Sequence, residues 1–510
     1  MSGKRVLYLI MIGILLMIAL PYVVGFQAGN SQEQFGGFLI NPIDGHSYLA
    51  KMRQGYRGEW KFTLPFTEQA GNGAYLFLFY HALGHIGRVV GAPLIWVFHA
   101  ARLIGAILLI LMIDKTIREL FQDQKAVVIG LILAGVGSGL GWLAVFWGSF
   151  TSDFWVAEAY PFLSMYTNPH FSLGLGIMIY SVLPKRDEQW ASGLIAGILL
   201  GIVQPFGVVI ICAVKWIYLG WKYIKEKAGI KEWIRSREVI SAFVFTLAGG
   251  AVILYQFWEI LQDPVLSKWH QQNITPNPGL LDVVISLSPC LILAAVGARK
   301  ALENDTGRKL VLWGLVSLIL IFVPWGLQRR FLTGIFFPLA VVSISGLFVL
   351  DARTPIKFSY WAIFTLFLSI ITNLIVIASG IQAISTKEKQ IFIDNDFLSA
   401  LSWLEDNAEE DDLILADKRD GLFIPSLIGR RVIYGHPFET IDAEREQQLV
   451  EGFFYIDQSD AFYEDVIENR GVDFVIARES NNDSVLNWLG DNLSLEYRIG
   501  AVRVFTGHNR

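Results

Sequence analysis

The sequence predicts a polytopic α-helical membrane protein with a small soluble domain at its C-terminal end. Of the 510 residues, 53% are hydrophobic and only 17% are charged, which is more apolar surface than a soluble domain can bury. Eleven apolar runs lie before residue 381, and the composition is polar from there to the end. Helix-like and strand-like stretches alternate in the polar part. We therefore expect a membrane domain over 1–380 and an α/β domain over 390–510.

The apolar runs predict the membrane helices. Most approach the roughly 20 residues that span a bilayer, and the first lacks a cleavage site, so we interpret it as a retained anchor. Two short runs flank Gln204-Pro205. Because proline ends or kinks a helix, they predict a tight helical hairpin. The runs are 5–26, 93–113, 126–147, 170–183, 191–203, 206–221, 239–262, 280–298, 310–327, 331–350 and 357–380.

The stretch 73–90 decides the orientation. It places His81, His85 and Arg88 on one helical face, which favours a helix lying in the membrane interface. If it does not cross, the inner loops carry 19 Lys and Arg, and the outer segments before the tail carry 8. The positive-inside rule then predicts about eleven helices in the plasma membrane. The N-terminus is cytoplasmic, and the C-terminal domain is extracytoplasmic.

Charge and cysteine content restrict the partners. The net charge of -5 gives no indication of nucleic acid binding. The two cysteines, Cys212 and Cys290, lie inside apolar runs and predict neither a disulfide framework nor a zinc site. Membrane lipids are the expected surroundings.

The outer loop 27–92 contains the first candidate site. In "NPIDGHSYLAKM", Asp44 and His46 precede an amphipathic stretch that reaches Tyr56 and can lie flat on the membrane. A carboxylate at this surface can act as a general base or hold a divalent metal beside a phosphate. Asp44 can equally cap the following helix, and His46 can be structural or a partner of the acid.

Two further outer segments contain candidate residues. The loop 148–169 has no Lys or Arg but contains Glu158, and His170 follows it. Glu158 is either a second acid for metal or substrate hydroxyls or a solvated loop residue. Arg329 and Arg330 stand at the predicted start of a helix, on the side where basic residues are disfavoured. They can bind phosphate in a forked geometry, or extend to lipid headgroups.

Together these features resemble the GT-C superfamily of membrane glycosyltransferases, which use polyprenyl-phosphate-linked sugars. The shared features are an inner N-terminus, an acid before a juxtamembrane helix in a long first outer loop, a second acidic outer loop, short hairpin helices and a terminal outer domain. The family's Asp-x-Asp is absent, and "EQAGNGAYLFLFYHALG" stands where Lys-Pro-Pro or His-Pro-Pro would follow.

The resemblance implies roles for particular residues. Asp44 would be the catalytic base or metal site, with Glu158 as a second catalytic acid. Substrate would contact a set of polar residues facing the outer side, and Arg329 and Arg330 within it would hold the lipid phosphate. A divalent cation, Mg or Mn, would be the only cofactor. The substrate-contacting set is His46, Tyr56, His170, Gln204, Arg329 and Arg330.

Two other classes of function remain open at this point. A transporter or flippase of a lipid-linked or anionic substrate would suit the intramembrane Arg102 and the break at Gln204-Pro205, although the two halves of the chain do not resemble each other. A scaffold that presents the tail domain would need no acid at Asp44. The sequence names neither the sugar nor the acceptor.

Overall fold

The computed structural model describes residues 3–183, 189–227 and 229–507, and most of these residues are helical. The helices of the first half alternate between long apolar segments and short connecting ones. They are α1 (Gly3–Gln27), α2 (Pro42–Arg57), α3 (Leu78–Val90), α4 (Leu94–Leu120), α5 (Gln124–Val136), α6 (Gly141–Ala144), α7 (Pro161–Tyr166), α8 (Pro169–Val182), α9 (Trp190–Val203), α10 (Pro205–Glu226) and α11 (Ile230–Arg235).

The second half begins with apolar helices and ends with polar ones that alternate with strands. Its helices are α12 (Arg237–Gln262), α13 (Pro264–Gln272), α14 (Leu280–Leu287), α15 (Cys290–Ala301), α16 (Asp305–Leu320), α17 (Phe336–Arg353), α18 (Phe358–Ser385), α19 (Asn395–Asn407), α20 (Asp420–Leu427), α21 (Ala443–Tyr455), α22 (Asp460–Glu468) and α23 (Asp483–Asn492). The strands are β1 (Glu33–Phe35), β2 (Phe392–Asp394), β3 (Leu413–Leu415), β4 (Arg431–Val432), β5 (Phe474–Arg478), β6 (Ser494–Ile499) and β7 (Val502–Thr506).

The chain is a multi-pass membrane protein. Within the described ranges, six helices are long and apolar enough to cross a bilayer, or up to eight if each of two bent pairs is one span. Every predicted apolar run contains a helix, but α8 and α9 have only 14 residues each. A helix of that length covers about 21 Å, short of the hydrocarbon core. The predicted number of about eleven spans is therefore not confirmed.

Two predicted spans are broken. The run 126–147 divides into α5 and α6, which meet at 49°, and the run 280–298 divides into α14 and α15, which meet at 74°. Two glycines of the predicted run, Gly137 and Gly139, lie in the first break. A Cβ on Gly139 would stand 2.0 Å from the carbonyl oxygen of Ser286, so the lack of a side chain permits a close backbone approach.

The break at Gln204-Pro205 agrees with the sequence prediction. Helix α9 ends at Val203, Gln204 adopts an extended conformation, and Pro205 opens α10. Proline suits the first helical position because its missing N–H would have no partner there. The two helices pack against each other as a hairpin.

The described residues form two compact units. The helical unit contains residues 3–23, 99–255 and 274–382, and the mixed unit contains residues 24–98, 256–273 and 383–507. This grouping differs from the predicted sequence ranges 1–380 and 390–510, because the first outer loop joins the C-terminal part. The division into a membrane domain over 1–380 and a soluble α/β domain over 390–510 stays a prediction.

The centre of the mixed unit is a five-stranded sheet in the order β4-β3-β5-β7-β6. β3 is parallel to β4 and β5, and β7 is antiparallel to β5 and β6. Alternate residues of the strands point to opposite faces. One face packs with α19 and α20, and the other with α21, α22 and α23. A second ladder joins β1 to β2 in antiparallel register.

Helix α2 is built into this unit. Ala50 and Phe66 belong to the core on the α19 side of the sheet, and α2 contacts both α3 and α20. The expectation that α2 lies flat on the membrane is wrong, because its apolar residues Leu49 and Met52 are buried in protein. Helix α3 has 13 residues, too few to cross a bilayer, as predicted for the stretch 73–90.

Candidate functional site

Asp44 lies in the first turn of α2 but does not cap it. The helix begins after Asn41, whose backbone is left-handed at φ 48°, and Pro42 takes the first helical position. The capping alternative is therefore wrong, since Asp44 is already the third residue of the helix. Its side chain is 48% exposed. A negative charge is favourable at this end of the helix dipole, and the carboxylate is open to solvent.

His436 is the ionisable group that faces Asp44. It lies between β4 and α21, its side chain is 2% exposed, and its Nε2 is 3.8 Å from Oδ1 of Asp44. Nδ1 accepts hydrogen bonds from the backbone N–H groups of Phe438 and Glu439, both at 3.1 Å. Burial lowers the pKa of His436, against the opposing effect of Glu439 and Asp44. His436 is therefore a neutral ring in a fixed position.

A buried ion pair lies beside this histidine. Lys51 Nζ donates to Oε1 of Glu439 at 2.7 Å and to Oγ of Ser47 at 2.6 Å. The serine hydroxyl donates to the same carboxylate oxygen at 2.5 Å. Burial would raise the pKa of Glu439, but the charges of Lys51 and the surrounding hydrogen bonds outweigh it and the pKa is lowered. The lysine also lies 4.5 Å from the ring centre of Phe77, a favourable cation–π contact.

His46 is a structural residue. Its Nδ1 is 3.0 Å from Oγ of Ser426, and its ring meets Phe38 and Phe423 edge to face. Burial lowers its pKa to about 3, so the ring is neutral at physiological pH. Of the two sequence alternatives for His46, this environment favours the structural one.

Tyr56 lies far along α2 from Asp44. Twelve residues at 1.5 Å each separate them by about 18 Å along the helix axis. The tyrosine ring lies beneath the guanidinium of Arg53, with 5.7 Å between the ring centre and Cζ. No described contact brings Tyr56 to Asp44, and its substrate contact stays a prediction.

The helical unit brings together three other candidates. Glu158, in a 3-10 turn over Ala157–Ala159, lies 3.3 Å from the guanidinium of Arg330. The hydroxyl of Thr333 donates to the backbone carbonyl of Arg330 at 2.8 Å. That hydroxyl also accepts from Nε2 of Gln204 at 3.2 Å. Glu158 is buried, with 8% side-chain exposure, whereas Arg330 is 39% exposed. An acid–arginine pair open on one side can bind an anion.

The two arginines lie at the start of the apolar segment Gln328–Arg353, as the sequence predicted. They lie in the 3-10 segment Gln328–Leu332, and α17 begins only at Phe336. Gly334 lies between the 3-10 segment and α17 and has a φ of 67°. This left-handed conformation interrupts the regular helical backbone. The Arg329 guanidinium lies over the ring of Trp155 at 4.9 Å.

His170 and Arg102 have local roles. His170 is the second residue of α8, and its ring packs on Phe171 with 4.0 Å between centres.

Arg102 is 1% exposed, and its guanidinium donates to the backbone carbonyls of Ile18, Met165 and Tyr166. Within the described residues, these carbonyl oxygens rather than an acid accept the hydrogen bonds of the guanidinium.

Comparison with known proteins identifies the fold. No protein-family model and no curated protein matches the sequence. Among solved structures, the oligosaccharyltransferase of Archaeoglobus fulgidus in its apo form matches with a TM-score of 0.54 at 14% identity, covering 94% of this chain and 69% of that one. The same archaeal enzyme, AglB, in complex with an inhibitory peptide and a dolichol-phosphate gives 0.53 at 14% identity, over 93% and 69%.

A second kind of enzyme shares the fold. The arabinofuranosyltransferase AftD from Mycobacteria matches with a TM-score of 0.51 at 14% identity over 97% of this chain. Both neighbours are membrane glycosyltransferases of the GT-C type. This chain has the GT-C fold. It spans only 39% of the length of AftD, and identities this low establish the fold alone.

The structure places residues beside Asp44 to which the sequence analysis assigned no role. Lys51, Ser47, His436 and Glu439 form the surroundings of Asp44, yet 388 positions separate Lys51 from Glu439. In the sequence, only two local features pointed to these residues: Lys51 lies four positions after Ser47 on α2, and His436 lies in "YGHP". Neither identifies its partner without the three-dimensional structure.

The residues around Asp44 do not form a complete metal site. No group of three His, Cys, Asp or Glu residues close enough to hold a metal ion occurs in the part of the chain that the structure describes. Glu439 is already paired with Lys51, and Nδ1 of His436 is occupied by two N–H donors. These residues therefore do not fit a metal ion held by protein ligands alone.

Proposed function

We propose that this protein is a membrane glycosyltransferase that transfers a sugar from a polyprenyl-phosphate-linked donor to an acceptor on the outer face of the membrane. The observation that carries the proposal is the half-exposed carboxylate of Asp44 beside the buried, neutral His436, in a chain with the GT-C fold. The archaeal neighbour in complex with a dolichol-phosphate supports a lipid-linked donor.

Asp44 is the proposed catalytic base. Its carboxylate takes the proton of an acceptor hydroxyl while the hydroxyl oxygen forms a bond to the anomeric carbon of the donor sugar. The bond from that carbon to the phosphate oxygen breaks, and polyprenyl phosphate leaves with the bonding electrons. A base of this kind contributes about 10²–10⁴-fold to the rate, and the partial exposure of Asp44 leaves it accessible to an acceptor.

Arg330 and Arg329 are the proposed binders of the donor's phosphate. Arg330 is 39% exposed and pairs with Glu158, and the forked geometry of a guanidinium matches a phosphate. Stabilising the leaving phosphate favours the transition state, where charge develops on it. In this proposal Glu158 orients the guanidinium, and Gln204 supports the same segment through Thr333. His170 stays a proposed contact of the substrate.

The proposal includes a divalent cation bound beside Asp44. An archaeal neighbour was crystallised with Zn and sulfate. Magnesium can be held by one or two carboxylates together with substrate phosphates, and Asp44 is the carboxylate of this chain predicted for that role. The divalent cation stays a prediction, which activity measured before and after chelation tests.

A transporter or flippase is not favoured. The matching solved structures named above are glycosyltransferases. Arg102, the intramembrane charge that suggested transport, is bound to backbone carbonyls within α1 and α7. This gives it a structural role in joining helices rather than a place on a substrate path.

Purified protein in nanodiscs tests the proposal. It is incubated with a panel of undecaprenyl- and dolichyl-phosphate hexoses and pentoses, and release of free polyprenyl phosphate is measured by mass spectrometry. We expect release from at least one donor above a protein-free control. Transbilayer movement of intact donor in proteoliposomes, with no release from any donor, would instead support a flippase.

A further inference from the structure

The two ring nitrogens of His436 have different environments. Nδ1 accepts the backbone N–H groups of Phe438 and Glu439. A backbone amide can only donate, so Nδ1 holds a lone pair and cannot carry a proton in this arrangement. The ring proton is therefore on Nε2. The tautomer follows from the hydrogen-bond geometry alone, and it excludes an imidazolium at this position.

Nε2–H lies on the side of the ring near Asp44. It is buried, and in the described part of the chain no atom accepts its hydrogen bond. The nearest acid oxygen is Oδ1 of Asp44 at 3.8 Å. A buried N–H without a partner costs free energy, and an approach of about 1 Å would bring the pair to normal hydrogen-bond distance. Hydrogen bonds of catalytic groups are often long before substrate binds.

The other charged groups that face the ring are fixed. Lys51 and Glu439 are paired at 2.7 Å, and burial together with Lys51 lowers the pKa of His436. Glu439 and Asp44 act in the opposite direction. Because Nδ1 is occupied by two donors, the ring can give a hydrogen bond but cannot accept the proton of the reaction.

We infer that His436 is the positioning residue of Asp44: its Nε2–H hydrogen-bonds one carboxylate oxygen and leaves the other directed at the acceptor hydroxyl. This inference rests on the proposed function. It assigns the C-terminal part of the chain a role in catalysis, because His436 is anchored between β4 and α21 while Asp44 belongs to the first outer loop.

Two isosteric variants separate donation by Nε2 from support of the backbone. In His436→Asn, the amide oxygen can replace Nδ1 as acceptor of the two N–H groups, but the donor to Asp44 is lost. In His436→Gln, the amide N–H reaches the place of Nε2 and keeps that donor. Each is made alone and with Asp44→Asn. Size-exclusion profiles and melting temperatures in detergent identify any variant that fails to fold.

Turnover of the undecaprenyl- or dolichyl-phosphate sugar with the highest activity gives the first measurement. We expect His436→Asn to lower kcat by about 10- to 100-fold with little change in KM, because misplacing a catalytic group by about 1 Å has effects of this size. The acid side of its pH profile should move to higher pH, since a donor to the ionised carboxylate is lost. His436→Gln should retain most activity.

The double variant tests whether His436 acts through Asp44. In the Asp44→Asn background, His436→Asn should cause no further loss, because residues that act as one unit are not additive. Normal kcat and an unchanged pH profile in His436→Asn, with Asp44→Asn inactive, would overturn this inference and leave the proposed function intact. Normal turnover in Asp44→Asn would instead remove the proposed function.

A measurement without substrate covers the case in which no donor is turned over. We expect Asp44→Ala to lower the melting temperature of the wild-type protein by about 1–3 °C but to leave that of His436→Asn unchanged. Equal decreases in both backgrounds would show that the two residues do not interact and would overturn the inference.

Discussion

Lys51 and Glu439 form a buried ion pair, with 2.7 Å between Nζ and Oε1, although 388 residues separate them in the chain. Their side chains are 1% and 11% exposed. The pair joins α2, which carries Asp44, to the segment that carries His436. The position of the proposed base therefore depends on contacts that the C-terminal third of the chain supplies.

Breaking this pair should destabilise the protein strongly. Glu439→Gln leaves a buried ammonium without its counter-charge, and removing one partner of a buried pair costs about 3–5 kcal/mol. Lys51→Met leaves the buried carboxylate of Glu439 without its counter-charge. The double variant should be less destabilised than the sum of the two singles. Melting temperature in detergent measures the effect, and singles as stable as the wild type would contradict the ion pair.

His46 should make stability depend on pH. Burial lowers its pKa to about 3, whereas the unfolded chain binds a proton below about 6.5. The stabilisation is therefore complete above about pH 6.5 and decreases as the pH falls toward 3, by up to about 1.4 kcal/mol per pH unit. His46→Gln should flatten this dependence. His85→Gln, at a partly exposed histidine of α3, is the matched control and should leave it unchanged.

The contact between α2 and α3 should tolerate no added methyl group. A Cβ on Gly84 would stand 2.0 Å from the carbonyl oxygen of Met52, and because that atom belongs to the backbone, the helices would have to separate. We expect Gly84→Ala to cost about 1–3 kcal/mol or more. Gly490→Ala, where a Cβ meets nothing within 4 Å, should be neutral or slightly stabilising. Equal stability of both variants would contradict the close packing.

Arg330 should determine affinity for the lipid phosphate. Arg330→Ala removes a charged donor, so we expect about tenfold weaker binding of undecaprenyl phosphate, about 1.4 kcal/mol. Arg330→Lys should retain part of the affinity. Arg353→Ala, at an exposed arginine of α17, provides the control. Native mass spectrometry or microscale thermophoresis gives the affinities. Unchanged binding in both Arg329→Ala and Arg330→Ala would reduce the pair to headgroup contacts.

The sequence predicted local features well and long-range contacts poorly. The alternation of helices and strands in the polar part and the break at Gln204-Pro205 follow from short-range patterns, and the structure has both. The glycines of 135–141 read as part of an apolar run, since hydropathy does not record that Gly139 must accommodate the Ser286 carbonyl. For the same reason the sequence did not indicate that two of the predicted spans are broken.

The candidate site was predictable only in part. Asp44 was a candidate because the sequence predicts this acid at the outer face of the membrane, where a carboxylate can act as a general base or hold a metal. The apolar residues of α2 were assigned to lipid, because periodicity cannot distinguish a membrane surface from the protein core that buries Leu49 and Met52. His436 and Glu439 lay in the polar tail without a recognisable motif, and their relation to Asp44 depends on tertiary packing.

The most direct test of the account is the turnover of Asp44→Asn in the donor panel. Asparagine keeps the shape and the hydrogen-bonding capacity of the side chain but cannot take a proton. If Asp44 is the base, release of polyprenyl phosphate should fall by about 10²–10⁴-fold while the melting temperature changes little. Asp406→Asn, at an exposed acid of α19, should behave as the wild type. Near-normal turnover in Asp44→Asn would contradict the central claim.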